Sequence, residues 1–351
     1  MKHTPLISIV IPVYNEEDKI EHLLQLLKKQ DHPRLEIVVV NDGSTDKTIE
    51  KLHSYLEKFN NYKFFTTENA GPGSARNYGI SNASGTYIYF LDADDSFSDD
   101  LIKVFFKYLK TEKEKQLDLL VFGYTKKIIK NGEKTGSYTS KLLDYQQNNK
   151  VSILNDFHRL MAMEARLSVW NKVFRRELLQ DNTIKFPQKK RTEDMFFLLD
   201  YIKRANNIVV ISDVLYYHSS HYSNSKFDGS LINNHIDLYE KLKELLRENP
   251  NKENSIYLLN MFISWFAFVI PLNIYRNNNL SPIEKRDLLK KLFNDSKFSE
   301  NLFLLNRMKN VPKKTKFVLL LLKLKSPTLL LNLVRLGEKV PRERIKKLMK
   351  T

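Results

Sequence analysis

Apolar and polar positions follow two alternating rhythms along the first 125 residues. Residues 6–13 (LISIVIPV) are almost continuously apolar, as in a strand buried on both faces. Residues 18–29 then place Ile20, Leu23, Leu24 and Leu27 at helical spacing. The rhythms repeat. Residues 35–40 predict a second strand, and the stretch up to Phe59 predicts a helix capped by Ser44 or Thr45. A strand over 62–67, a short helix over 75–82 and a strand over 87–91 follow, then a helix over 99–110 and a strand over 117–124. Buried strands alternating with helices predict an α/β domain, a mostly parallel sheet flanked by helices. Ligands on such sheets bind beyond the carboxyl ends of the strands.

The rhythm then changes. Residues 126–150 are polar, with Gly132, Gly136 and paired asparagines, and predict a hairpin or mobile loop. Residues 151–230 are mixed, and from about 231 the pattern is helical. The segment 256–275 (IYLLNMFISWFAFVIPLNIY) is long enough to span a membrane. Its Asn260, Ser264, Pro271 and Asn273 favour a buried helix instead. Two leucine runs in 317–334, broken by Ser326-Pro327 and flanked by basic residues, suit helices lying on an anionic membrane surface. A small bundle with a basic solvent face would show the same pattern.

Charge sharpens this division. The net charge is +16, yet residues 301–351 alone hold 14 Lys or Arg against Glu338 and Glu343. The basic character therefore belongs to a C-terminal module, fit to meet a membrane surface or a polyanionic acceptor. It lacks the aromatic interleaving of nucleic-acid binders, so no nucleic-acid partner is expected. The chain has no cysteine, which excludes disulfides, thiolate nucleophiles and zinc–thiolate sites and fits a reducing compartment. Pro12 interrupts the first apolar run and Glu16 and Glu17 follow it, so it reads as a strand and not an export signal. The expected location is the cytoplasm, peripheral at the inner face of the cell membrane.

Five clusters offer chemistry, four of them at strand ends. Phe90-Leu91-Asp92-Ala93-Asp94-Asp95 sets three carboxylates directly after an apolar strand. Their repulsion is relieved by a hard divalent cation completed by diphosphate oxygens, though a solvated acidic turn would look alike. Asp42 in NDGSTD can accept hydrogen bonds from a nucleobase or ribose, or simply form an Asx turn. After Pro12, Tyr14 can stack on a base and Glu16 can bond to it. In NAGPGSARN, glycines let the backbone approach a ligand, and Arg76 near a helix start can meet phosphate. Glu193-Asp194 opens an apolar helix, where carboxylates act as caps or, alternatively, as a general base. No phosphate-binding loop of the G-x-x-x-x-G-K-[ST] type and no G-x-G-x-x-G after the first strand is present, which argues against ATPases and dinucleotide dehydrogenases.

Taken in order, ISIVIPVYNEE, IVVVNDGSTD, NAGPGSARNYGI, SGTYIYFLDADD, SVWNKVFRRE and RTEDMFF resemble the family 2 glycosyltransferases of the GT-A fold, the bacterial cell-surface polysaccharide and teichoic-acid type. The resemblance covers about residues 7–225. It implies a nucleotide-diphospho-sugar transferase domain over 1–230, with a nucleotide-sugar half (about 1–125) and an acceptor half (about 126–230), followed by the helical basic region 231–351. It implies an inverting, metal-dependent transfer from a nucleoside-diphosphate sugar, with a UDP-sugar as expected donor, to a hydroxyl of a glycan, lipid-linked or polyanionic acceptor. By position it assigns Pro12, Tyr14, Glu16 and Asp42 to the base, and Arg76 to the nucleotide. Asp92 and Asp94 match the DxD signature that holds Mg²⁺ or Mn²⁺. Asp194 matches the catalytic base with Glu193 beside it, and Trp170, Asn171 and Lys172 look like the acceptor segment, with an aromatic able to stack on a sugar. His218, with His221 second, is the candidate for the diphosphate. A metal-dependent nucleotidyltransferase and a non-catalytic basic membrane scaffold are the competing readings.

Overall fold

The structure is a computed structural model that describes residues 6–109, 117–130, 133–140, 142–162, 168–180, 183–189, 191–221, 230–277, 279–294 and 326–332. The chain divides into two compact units, Met1–Tyr222 and Ser223–Thr351.

The first unit runs β1 (Ile7–Val13), α1 (Ile20–Lys29), β2 (Leu35–Asn41), α2 (Thr48–Leu56), β3 (Tyr62–Thr66), α3 (Pro72–Asn82) and β4 (Tyr87–Phe90). It continues with β5 (Ser96–Phe97), α4 (Leu101–Leu109), β6 (Leu119–Lys130), β7 (Glu133–Thr139), β8 (Tyr145–Gln147) and α5 (Lys150–Ala162). It closes with β9 (Lys172–Arg175), a 3₁₀ turn (Arg176–Leu179), α6 (Glu193–Arg204) and β10 (Ile208–His221). One sheet takes the order β3-β2-β1-β4-β9-β6-β10-β5, with β7 on β6 and β8 on β10.

The pairs β1–β2, β1–β4, β2–β3 and β6–β10 are parallel. The short β9 lies antiparallel to both β4 and β6, so β6 runs the same way as β4. Six strands thus point their carboxyl ends to one edge, as the alternating pattern predicts. What the pattern does not announce is β9, a four-residue run too short for a period, which joins the two halves of the sheet. The polar stretch after β6 is the predicted hairpin, formed with β7.

Every residue of β1 and β2 is buried, which is why their sequences lack polar alternation. Each buried Val, Leu or Ile contributes about 1.5–3 kcal/mol relative to exposure. Helix α1 turns Ile20, Leu23, Leu24 and Leu27 inward, as its spacing predicts. Helix α2 starts at Thr48, later than expected. Neither Ser44 nor Thr45 caps it; Asp46 Oδ1 accepts the Thr48 N–H at 3.0 Å instead. Ser44 and Thr45 are drawn away because Asn15 bonds to both.

Helix α3 packs on β1 and β2 at the close approach of Gly79. A Cβ there would lie 2.3 Å from Val10 Cγ1, on a strand with no room to move. Gly79→Ala is therefore expected to cost about 1–3 kcal/mol of folding stability, as overpacked cores do. Urea unfolding reads this; an unchanged midpoint would mean that the helix can lift off β1 freely.

In the second unit, α7 (Ser230–Arg247) packs against α8 (Lys252–Arg276), and α8 against α9 (Pro282–Asn294). Asn251 caps α8 by accepting the Asn254 N–H at 3.1 Å. The apolar segment 256–275 falls within α8, where Leu258, Phe262, Ile263, Ile270 and Ile274 are buried. Among the described residues no helix is long and apolar enough to cross a membrane. Most of the leucine runs in 317–334, and most of the basic segment 301–351, lie outside the described residues.

Candidate active site

The carboxyl edge of β1 and β2 is built by two interlocked loops. After β1 the chain turns through Asn15, a non-glycine residue at φ 51°. Its Oδ1 accepts the Thr45 N–H at 2.8 Å, and Ser44 Oγ accepts its own N–H at 3.0 Å. Thr48 Oγ1 accepts the Glu16 N–H at 2.9 Å. This lacing leaves Tyr14 47% exposed, with Glu16 half-buried and 3.3 Å from Lys19. Pro12 is buried in β1, in register with Val40.

Asp42 is less available than the resemblance implies. It is buried, and its two oxygens accept the N–H groups of Ala70 (2.9 Å) and Gly71 (2.8 Å). It thereby shapes the glycine turn that launches α3. Gly43, at φ +71° with the Asn69 nitrogen 3.0 Å from where a Cβ would sit, lets that turn close.

Three carboxylates follow β4, and the structure separates their tasks. Asp95, to which sequence reasoning gave no task of its own, is buried and held by β10. Tyr216 Oη donates to it at 2.6 Å, the Ser219 N–H donates at 2.7 Å, and His218 Nδ1 lies 3.0 Å away. It ties the acidic loop to β10 and is not free to hold a cation. His218 therefore turns one ring nitrogen to Asp95, leaving Nε2 as the nitrogen that could meet a diphosphate. His221 ends β10, and its side chain lies outside the described residues.

Asp94 and Asp92 remain half-buried in the loop after β4. Burial, then the charges of Asp95 and Asp92, push the Asp94 carboxyl up to about 6; Lys19 opposes this and Glu16 adds to it. A crowded carboxylate of this kind gains from a proton or a cation. Its hard oxygen donors fit Mg²⁺ or Mn²⁺. Among the described residues no group of three or more acidic or histidine side chains is placed to hold a metal ion.

Arg76 lies on the second turn of α3 and is buried. Its Nη2 donates to Asp92 Oδ1 at 2.7 Å and its Nη1 to Asp194 Oδ1 at 3.0 Å. Its guanidinium sits over the Phe186 ring, 5.4 Å from the centroid, and Nε–H has no partner. Where the resemblance implies a contact with the nucleotide, Arg76 in this structure donates one N–H from each terminal nitrogen to a carboxylate. Asn77, the next residue, exchanges two hydrogen bonds with the Phe186 backbone (2.8 and 2.9 Å) and so anchors the segment before α6. Neither Asn77 nor Phe186 was marked by the sequence. Only the asparagine, polar and adjacent to Arg76, carried a signal.

Asp194 opens α6 and is half-buried. Burial pushes its carboxyl up to about 6; Arg76 opposes this, Glu193 and Asp92 add to it, and a hydrogen bond from the Val169 backbone lowers it again. Glu193 lies beside Gly73 of α3, and its buried Oε2 has no partner.

The segment before β9 differs from expectation. Trp170 is buried, stacked on Tyr216 (4.6 Å between centroids) and His218 (5.2 Å), so it serves as a shelf for β10 and does not present a face to a sugar. Asn171 is fully buried and donates to Phe122 O at 3.1 Å. Lys172 is also buried and donates to Ser168 O (2.7 Å) and Asn171 Oδ1 (2.8 Å). Burial pulls its ammonium down to about 7, against the pull of Asp194. All three side chains are buried and make their contacts within the fold.

The chain is similar to known glycosyltransferases. Residues 8–181 match the model of "Glycosyl transferase family 2". EpsH of Bacillus subtilis is 28% identical over 83% of this chain and 82% of its own. An uncharacterized glycosyltransferase of Haemophilus influenzae is 32% identical over 59% of this chain and 76% of its own. The poly(ribitol-phosphate) β-N-acetylglucosaminyltransferase TarS of Staphylococcus aureus is 30% identical over 70% of this chain, which spans 41% of that protein. A crystal structure of TarS residues 1–349 with UDP-GlcNAc superposes with a TM-score of 0.64 at 22% identity, over 95% of this chain and 91% of the other, and shows the shared GT-A fold. The ordered motifs, the edge they share and these relatives agree: the chain belongs to glycosyl transferase family 2.

Proposed function

We propose that this glycosyltransferase is inverting and metal-dependent, moving a sugar from a UDP-sugar to an acceptor hydroxyl in cell-surface glycan or teichoic-acid synthesis. One observation carries the reading. Asp92, one of two half-buried carboxylates after β4, is joined to a base candidate at the start of α6, Asp194, through a single buried arginine, Arg76. One acidic group on the donor side and one on the acceptor side is what a single displacement requires.

A divalent cation held by Asp94 and Asp92 would neutralise charge growing on the leaving diphosphate. Tyr14, exposed at the end of β1, offers a face to the base of the donor. Asp95 fixes the His218 ring through Nδ1, and Nε2 would be the nitrogen to meet the diphosphate. Asp194 takes the proton from the acceptor hydroxyl as its oxygen attacks the anomeric carbon. One base and no covalent nucleophile invert the configuration.

The UDP preference draws support from TarS, whose structure was obtained with UDP-GlcNAc, and the acceptor class from its poly(ribitol-phosphate) substrate. The basic segment 301–351 supports a position at the inner face of the cell membrane or on a polyanionic acceptor. In a thermal-shift screen with Mn²⁺, a UDP-sugar is expected to raise the melting temperature. A binding gain of about 2.7 kcal/mol follows at a hundredfold excess over Kd. No shift with any nucleotide-sugar would favour the non-catalytic scaffold.

A further inference from the structure

Arg76 is placed unlike an arginine that simply binds a ligand. It does not fork onto one carboxylate, the arrangement its planar guanidinium favours. It splits its two terminal nitrogens between Asp92 and Asp194, which are far apart in sequence. To reach both it leaves its buried Nε–H without a partner. Its position is fixed from three sides: α3 carries it, Phe186 lies under the guanidinium, and Asn77 pins Phe186. A buried donor left unpaired is unfavourable, so stability alone does not explain this geometry. Spanning the two carboxylates does.

We propose that Arg76 is a positioning residue that yokes the donor-side carboxylate Asp92 to the base Asp194, holding the base ionised and aimed before the acceptor arrives. The inference rests on the transferase reading for its catalytic meaning, but the yoke itself is a property of the fold. Asp194 is surrounded by Arg76 from α3, Asp92 from the loop after β4, Glu193 from its own helix and Lys172 from β9. Of these, Arg76 alone reaches it with a direct ion pair. Asp92 offers Oδ1 to Arg76 and leaves Oδ2 outside any hydrogen bond among the described residues. Yoking and donor-side ligation are therefore compatible.

The test pairs Arg76→Gln with Arg76→Lys. A lysine keeps the charge but its single ammonium cannot fork across both carboxylates. In transfer assays, Arg76→Gln is expected to lower kcat by at least about tenfold, within what a mispositioned general base loses, with a much smaller change in the donor KM. The acidic limb of the kcat–pH profile should move to higher pH, because the group that favours ionised Asp194 is gone. Arg76→Lys should restore part of the pH profile but not the full kcat. Carbon-13 NMR of labelled aspartate carboxyls, assigned by the signal lost in Asp194→Asn, reads the titration of Asp194 without turnover. An Asp194 titration in Arg76→Gln identical to that of the unmodified protein would overturn the yoke. So would a change confined to donor KM. If no nucleotide-sugar supports transfer but the Asp194 titration still shifts, the transferase reading fails and the yoke stands. Should the glutamine variant not fold, the lysine variant decides by the same titration and kcat.

Discussion

Replacing Asp194 by Asn is expected to lower sugar transfer by about a hundredfold to ten-thousandfold, the usual contribution of a positioned general base. Donor binding should survive, because the residues proposed to hold the donor lie after β4 and along the β1–β2 edge. The amide keeps the size of the side chain and can still accept from the Val169 N–H, so the fold is not asked to change. It cannot take up the proton of the acceptor hydroxyl. The unmodified enzyme should show the matching pH dependence. With its carboxyl near 6, Asp194 is protonated and inactive well below that pH and ionised above it, so kcat should rise with pH through about 6 and then level. Near-full transfer by Asp194→Asn would remove this residue from the base role. The next acidic side chain to examine would be Glu193, whose Oε2 has no partner.

The second large effect is expected at Asp94. Asp94→Ala should abolish the metal-dependent part of donor binding and reduce transfer by at least about a hundredfold, since metal-ion stabilisation of a leaving group is worth several kcal/mol. Titrating Mn²⁺ against donor affinity would read the first effect, and initial rates the second. Its neighbour makes the control. Asp95 accepts from Tyr216 and Ser219 and pairs with His218, so Asp95→Ala should act mainly on stability. Each buried donor it orphans costs roughly 1–3 kcal/mol. If Asp94→Ala left metal dependence intact while Asp95→Ala removed it, the division of the acidic loop argued from the structure would be reversed.

The contrast between Asp94 and Asp95 shows how far a sequence can be read. Continuous apolar runs at β1 and β2 and the helical spacing of α1 are local patterns, and they predict the sheet because burial of both faces leaves no polar alternation. The strand ends could be found for the same reason, and with them Asp92 and Asp94, while Asp194 stood out as part of an acidic pair opening an apolar helix. What could not be read is set by contacts distant in sequence. Three carboxylates in a row look equivalent until β10 folds over one of them. Arg76 reads as a phosphate ligand until α6 brings Asp194 beside it. Trp170 reads as a sugar platform, but Tyr216 and His218 cover it. The cap of α2 departs from the local pattern because Asn15, on another loop, competes for Ser44 and Thr45. The antiparallel β9 is too short to show a period, though it joins both halves of the sheet.

The most direct test follows the atoms of the donor. The protein is mixed with Mn²⁺, a UDP-sugar and a poly(ribitol-phosphate) or glycan acceptor, and phosphorus and proton NMR spectra are recorded over time. Release of UDP in step with a new glycoside of inverted anomeric configuration is the expected result. Appearance of pyrophosphate would instead identify a nucleotidyltransferase, and a glycoside of retained configuration would contradict a single displacement with Asp194 as base.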